Sequence, residues 1–168
     1  MIEIRCETPD DYADIRRVNT LAFERDNEAT LVDRPRAVQP HISLVAVEDG
    51  QVIGHIFFSP MSVESGDGAF TALGLAPMAV LPESQNQGTG LQLVKRGLEE
   101  CRVLNYNVVF VLGRPHYYPR FGFSPAKAKG VSCEYPVPDE VFMIVELQFD
   151  ALCGRTGVVK YRPEFAEV

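Results

Sequence analysis

Apolar and polar residues alternate at the start of the chain, where Ile2, Ile4 and Cys6 predict one face of a first strand. Thr8-Pro9-Asp10-Asp11 then reads as a helix start: Thr8 caps, Pro9 suits the first helical position, and the early aspartates match the positive end of the helix dipole. From there the apolar spacing becomes helical, with Tyr12, Ile15, Val18 and Leu21 or Ala22 on one face. Residues 24–40 are rich in charge and carry Pro35 and Pro40, which predicts a second short helix and a loop. Strand patterning returns over residues 43–47 and 52–58, joined across Glu48-Asp49-Gly50-Gln51, a hairpin turn whose glycine supplies the left-handed position. Ser65-Gly66-Asp67-Gly68 is the next turn, before a fourth strand over residues 70–80.

Gly74 and Pro77 both weaken regular pairing inside that fourth strand, so a bulge is expected there. Residues 88–104 predict a helix with Leu91, Val94, Leu98 and Cys101 on one stripe and Gln92, Lys95, Glu99 and Arg102 away from it. A β-branched apolar run, Val108-Val109-Phe110-Val111-Leu112, follows as a buried strand. Strand, helix and strand in succession make a βαβ unit, so the fourth and fifth strands are predicted parallel with a right-handed crossover. A late strand lies over residues 142–147 and a shorter one over 158–161.

The link into the second helix, Met78-Ala79-Val80-Leu81-Pro82-Glu83-Ser84-Gln85-Asn86-Gln87-Gly88-Thr89-Gly90-Leu91, carries the most specific chemistry. Gly88 and Gly90 remove side chains that would hold a ligand off the backbone and permit a positive φ, so successive N–H groups can converge on an anion. The helix start adds unpaired N–H donors and the positive end of its dipole, which together suit a pyrophosphate. Two nucleotide-binding patterns fail: no Gly-Lys precedes a Ser or Thr, and Leu93 stands where a dinucleotide fingerprint needs its third small residue.

What remains, Gln-x-x-Gly-x-Gly from Gln85 to Gly90, resembles the coenzyme A pyrophosphate loop of the GNAT superfamily of acetyl-coenzyme A-dependent N-acetyltransferases. About thirty residues on, Tyr117-Tyr118-Pro119-Arg120-Phe121-Gly122-Phe123 resembles the family's Tyr-x-x-x-Gly-Phe element, with Tyr118 at the matching tyrosine and Tyr117 where relatives carry an apolar packing residue. The wider pattern, including Gly54 to Pro60 and Phe142 to Leu147, is similar to a bacterial branch of the YhbS type. The resemblance implies a single α/β domain over residues 1–168. Its central mixed, twisted sheet has about six or seven strands, with helices on both faces and strands 4 and 5 splayed apart. It implies acetyl-coenzyme A as cosubstrate, held by Met78, Ala79, Val80, Gln85, Asn86, Gln87, Gly88, Thr89, Gly90 and Leu91. The backbone at Met78 and Val80 would pair with the pantetheine arm, and residues 24–40 would wall the acceptor site.

Bulk properties narrow the partners. The 168 residues are 46% hydrophobic and 23% charged, which suits one compact domain, and a net charge of −7 without a basic cluster argues against nucleic acid. Lys95 and Arg96 are a local basic spot two turns into the helix. Cys6, Cys101, Cys133 and Cys153 are scattered and His41, His55 and His116 share no metal spacing, so free buried thiols, structural histidines and no metal are expected. The first residues lack a signal-peptide pattern and no apolar run reaches membrane-spanning length, which predicts a cytoplasmic chain with no membrane partner. A homodimer stays open.

Acyl transfer to an amine sets the remaining requirements. A lysine-like ammonium with a pKa near 10.4 must lose a proton before it attacks the thioester. Donors near Met78 to Val80 would hold the oxyanion, and Tyr118, a phenol with pKa about 10, would return a proton to the departing thiolate. No Cys lies in either motif, so direct attack by a primary amine, small-molecule or peptide, in a ternary complex is expected. Residues 70–81 hold no acid or histidine where many relatives carry a glutamate, which leaves a water relay, Glu28 or Glu146 as the base. That absence keeps two alternatives open: a silent acyl-coenzyme A sensor or interaction module, and transfer of a longer acyl group.

Overall fold

The structure, a computed structural model, describes residues 2–23, 41–65, 68–113, 115–134, 137–148 and 157–160. Among these residues nine strands form one mixed sheet: β1 (Ile2–Cys6), β2 (Ile42–Glu48), β3 (Gln51–Ser65), β4 (Gly68–Val80), β5 (Val108–Leu112), β6 (Ser124–Pro125), β7 (Val131–Cys133), β8 (Phe142–Glu146) and β9 (Gly157–Lys160). The main path runs β1-β2-β3-β4-β5-β8-β6, with β9 joined to β3 and β7 to β9. The count exceeds the six or seven expected, because β6 and β7 are two and three residues long and too short to show a period.

Among the described residues two α-helices, α1 (Tyr12–Phe23) and α2 (Thr89–Val103), lie on opposite faces. On one face Asn19 of α1 bonds to His55 of β3. On the other, a Cβ built at Gly54 would stand 3.1 Å from Leu93 of α2, and one at Gly97 of α2 would stand 2.4 Å from the Phe58 ring. The buried side of α2 is therefore Leu93, Val94, Gly97, Leu98 and Cys101, whereas Leu91 turns half-exposed toward the end of the sheet. The second helix and loop expected over residues 24–40 lie outside the described residues.

His55, fully buried, fixes α1 to the sheet. Asn19 Nδ2 faces the Ile15 carbonyl at 3.0 Å, which identifies it as the donor, so it also donates to His55 Nδ1 at 3.2 Å. The ring hydrogen then sits on Nε2 and is donated to Ser43 Oγ at 2.9 Å, while the Ser43 hydroxyl donates to Glu7. This chain gives His55 the structural role expected of it. At the first turn Asp11 accepts from the Thr8 backbone N–H at 2.7 Å and pairs with Arg5 at 2.8 Å, closing the predicted helix start against β1.

Pro60 sits inside β3, which runs seven residues beyond the predicted end at Phe58. The β2 ladder ends at Phe58 and the β9 ladder begins at Ser62, so the proline falls where neither partner needs its missing N–H.

Candidate active site

The sheet opens between β4 and β5. Their parallel ladder covers only Leu73–Leu75 against Val109–Val111, as expected of a βαβ unit, and β5 stops at Leu112. β4 continues to Val80, paired only with β3 on its other edge. The register shift lies at the predicted bulge, where Ala76 and Pro77 together oppose Phe57. Beyond the bulge, the edge of β4 that faces β5 presents backbone groups with no ladder partner.

A cleft of about 800 Å³ fills the opening. Leu75, Ala76, Pro77, Met78, Ala79 and Val80 form one wall, and Leu112, Gly113, Tyr117, Tyr118 and Arg120 form the other. Ser84, Gln85, Asn86, Gly88, Gly90 and Leu91 close one end, and Ala22 of α1 reaches the lining as well. The first intrahelical bond of α2 runs from the Gln92 N–H to the Gly88 carbonyl at 3.1 Å, so the N–H groups of residues 89–91 have no acceptor within the helix. Gly88 caps the helix at φ 87°, a left-handed conformation, and Asn86 adopts φ 63°. Gln85 Nε2 donates to the Val80 carbonyl at 2.9 Å, so its amide staples the loop to the strand end.

Eight of the ten loop and strand residues singled out from sequence therefore line one cleft, together with Tyr118. Gln87 and Thr89 do not. Gln87 is exposed and its amide donates to the Glu83 carbonyl at 3.4 Å, while Thr89 is buried beneath the helix end with its hydroxyl unpartnered among the described residues. Tyr118 is 7% exposed. Its ring lies against the backbone at Gly113, where a Cβ would stand 2.3 Å from it, and packs edge-on to Phe123 with centroids 5.7 Å apart. Leu112, Gly113, Ser84, Tyr117 and Arg120 were not singled out as site residues, since no spacing in the chain shows which loop faces the split.

Glu146 is not a base for this cleft. It bonds Lys129 at 3.0 Å and pairs with Val108, at the opposite end of β5 from Leu112, roughly 13 Å away at strand spacing. Glu28 lies outside the described residues. Arg96 turns from the helix end to Glu100 at 3.0 Å and the Ile4 carbonyl at 3.4 Å, away from the cleft. Cys101 is fully buried and its thiol is pushed up to about 12 by burial, so it is no nucleophile. Burial also raises the Tyr117 phenol, with Arg120 opposing the shift. Among the described residues no group of His, Cys, Asp and Glu has the arrangement of a metal site, and no helix is long and apolar enough to cross a membrane.

A mixed sheet split between two parallel strands, with a glycine turn opening a helix at the split, defines the architecture of a GNAT acetyltransferase. Residues 3–126 match the acetyltransferase (GNAT) domain, and the chain belongs to that family. It is 39% identical to the uncharacterised N-acetyltransferase YhbS of Escherichia coli strain K12, over 96% of this chain and 97% of that protein. The crystal structure of Escherichia coli YhbS in complex with CoA superposes with a TM-score of 0.91 at 37% identity, covering 98% of this chain and 92% of that one. A GNAT family acetyltransferase from Brucella melitensis in complex with acetyl-CoA has a TM-score of 0.79 at 34% identity, with 98% of each chain covered.

Proposed function

We propose that the protein transfers an acetyl group from acetyl-coenzyme A to a primary amine by direct attack in a ternary complex, and that residues 1–168 form one domain for this task. The observation that carries the reading is the meeting of three parts in one cleft: the open edge of β4, the glycine turn at the start of α2, and Tyr118 at the end of β5. Its relatives' structures with CoA and acetyl-CoA support the choice of cosubstrate.

Each part has a task set by its chemistry. The turn and the unpaired N–H groups of residues 89–91 hold the diphosphate, since they combine converging donors with the positive end of the helix. The free edge at Met78 and Val80 pairs with the amides of the pantetheine arm and holds the oxyanion with fixed donors. Tyr118 delivers its hydroxyl proton to the departing sulfur. No cleft residue among those described is an acid or a histidine, which leaves a water relay or Glu28, outside the described residues, to take the ammonium proton.

The test is a screen of amines, aminoglycosides, polyamines and peptide N-termini with acetyl-coenzyme A, read by mass. A gain of one acetyl group on an amine is expected. Binding of the coenzyme without acetyl gain on any acceptor would favour a silent sensor, and faster transfer from a longer acyl thioester would move the donor assignment.

A further inference from the structure

Arg120 is the only charged side chain on the cleft wall among the described residues. The protein as a whole carries a net charge of −7, so a polyanionic coenzyme must be drawn in by local charge against the overall field. Arg120 is held ready for this. Its Nε–H donates to the Tyr117 carbonyl at 2.9 Å and its guanidinium lies 4.6 Å from the centroid of the Tyr117 ring, which leaves the terminal nitrogens without a hydrogen-bond partner among the described residues.

Tyr117 reaches the other half of the same place. A Cβ built at Gly90 would stand 3.0 Å from the Tyr117 hydroxyl, so that hydroxyl lies against the first turn of α2, beside the unpaired N–H groups. Tyr117 and Tyr118 are neighbours in sequence but their rings meet edge-on at 87°, which sends Tyr118 into the core and Tyr117 across the mouth of the turn. The left-handed Gly122, whose N–H donates to the Pro119 carbonyl at 3.0 Å, closes the short 3-10 turn that sets both rings.

From this we infer that Tyr117 and Arg120 form a clamp on the coenzyme diphosphate, facing the glycine turn from the opposite wall. The Tyr117 hydroxyl donates to a phosphate oxygen, and the terminal nitrogens of Arg120 supply the positive charge that the turn lacks. The Tyr117 phenol, raised by burial, keeps the proton that donation needs. The inference rests on the coenzyme reading above and extends it to two residues outside the loop.

The experiment measures equilibrium binding of coenzyme A, 3′-dephospho-coenzyme A and pantetheine to the wild-type chain and to Arg120→Gln, Arg120→Lys and Tyr117→Phe. Melting temperatures are taken alongside, and all three variants are expected to stay folded because Arg120 is exposed and phenylalanine keeps the Tyr117 ring. Loss of a hydrogen bond to a charged group predicts about tenfold weaker binding of both nucleotides by Arg120→Gln and by Tyr117→Phe, a smaller loss by Arg120→Lys, and no change for pantetheine. Unchanged nucleotide affinity in folded variants would overturn the clamp. A loss with coenzyme A that vanishes with the 3′-dephospho form would also overturn it, placing Arg120 on the 3′-phosphate. If the wild-type chain binds neither nucleotide, the coenzyme reading itself fails and the clamp goes with it.

Discussion

Gly88 and Gly90 look alike in sequence, yet the structure needs them for different reasons. Gly88 has open space where a Cβ would stand and is favoured by its φ of 87°, at which any side chain is strained, whereas at Gly90 a Cβ would crowd the Tyr117 hydroxyl at 3.0 Å and the Met78 sulfur at 3.3 Å, so those side-chain ends would have to give way. Tyr118→Phe keeps the ring against Gly113 and removes only the donor, so coenzyme binding should survive while single-turnover transfer slows about a hundredfold or more. An undiminished chemical step would transfer the acid role to water. Cys101→Ala should lower stability by about 1 kcal/mol on chemical denaturation, since it leaves a small buried gap, and should leave turnover intact. An acetylated cysteine trapped on the path to product would contradict direct transfer. At this scale the sequence carries Tyr118 and the glycines, because their spacing is local. It does not carry Tyr117 and Arg120, whose place depends on an edge-on turn of two adjacent rings.

The elements follow the period of apolar residues wherever that period lasts more than a few residues. The βαβ unit and the bulge at Ala76–Pro77 appear, and the predicted start of α1 is a 3-10 turn over Pro9–Asp11 that leads into the helix at Tyr12, while β6, β7 and the far half of β3 do not show in the pattern because their pairing is set by distant strands. The 3-10 turn that leads into α1 carries a pH signature. Its Asp11 carboxyl, bonded to Arg5 and to the Thr8 backbone, is lowered from 3.8 to about 2. A carboxyl depressed on folding stabilises the fold above its unfolded pKa and loses that stabilisation as pH falls from about 4 toward 2. With Arg5 half-exposed, the contribution is about 1–2 kcal/mol, and Asp11→Asn should remove it at neutral pH and flatten the melting curve against pH in that window. An equal acid slope in the variant would place the effect elsewhere. In α2, Gly97 costs helix propensity but lets the helix sit on Phe58, whose ring would lie 2.4 Å from an added Cβ. Gly97→Ala should therefore destabilise, by about 1 kcal/mol or more in urea melts, because overpacking against a rigid ring outweighs the propensity gain. A more stable variant would show that helix and sheet can part without cost.

For the molecule as a whole, α1 and α2 cover opposite faces of the sheet and the β4–β5 ladder stops short, so the cleft between those strands is a product of topology as much as of any motif. Family and fold could be read from two motifs in order, but the base and the acceptor could not, since the fourth strand lacks an acid and Glu146 turns to Lys129 far from the split. The central claim is that an acyl-coenzyme A occupies this cleft with its phosphates on the turn before α2. It is tested most directly by thermal melting of the wild-type chain and of Gly88→Asp, each with and without acetyl-coenzyme A. At about a hundred times its dissociation constant the ligand should stabilise the wild type by about 2.7 kcal/mol, a rise of roughly 5 to 10 °C for a domain of this size. Gly88→Asp puts a carboxylate beside the phosphates at a position with room for it; its left-handed backbone is strained by any side chain, so the ligand-free melting temperature should fall somewhat, and the folded variant should lose most of the ligand-induced rise. A wild type that melts at the same temperature with and without the ligand, or a folded Gly88→Asp that keeps the full shift, would contradict the claim.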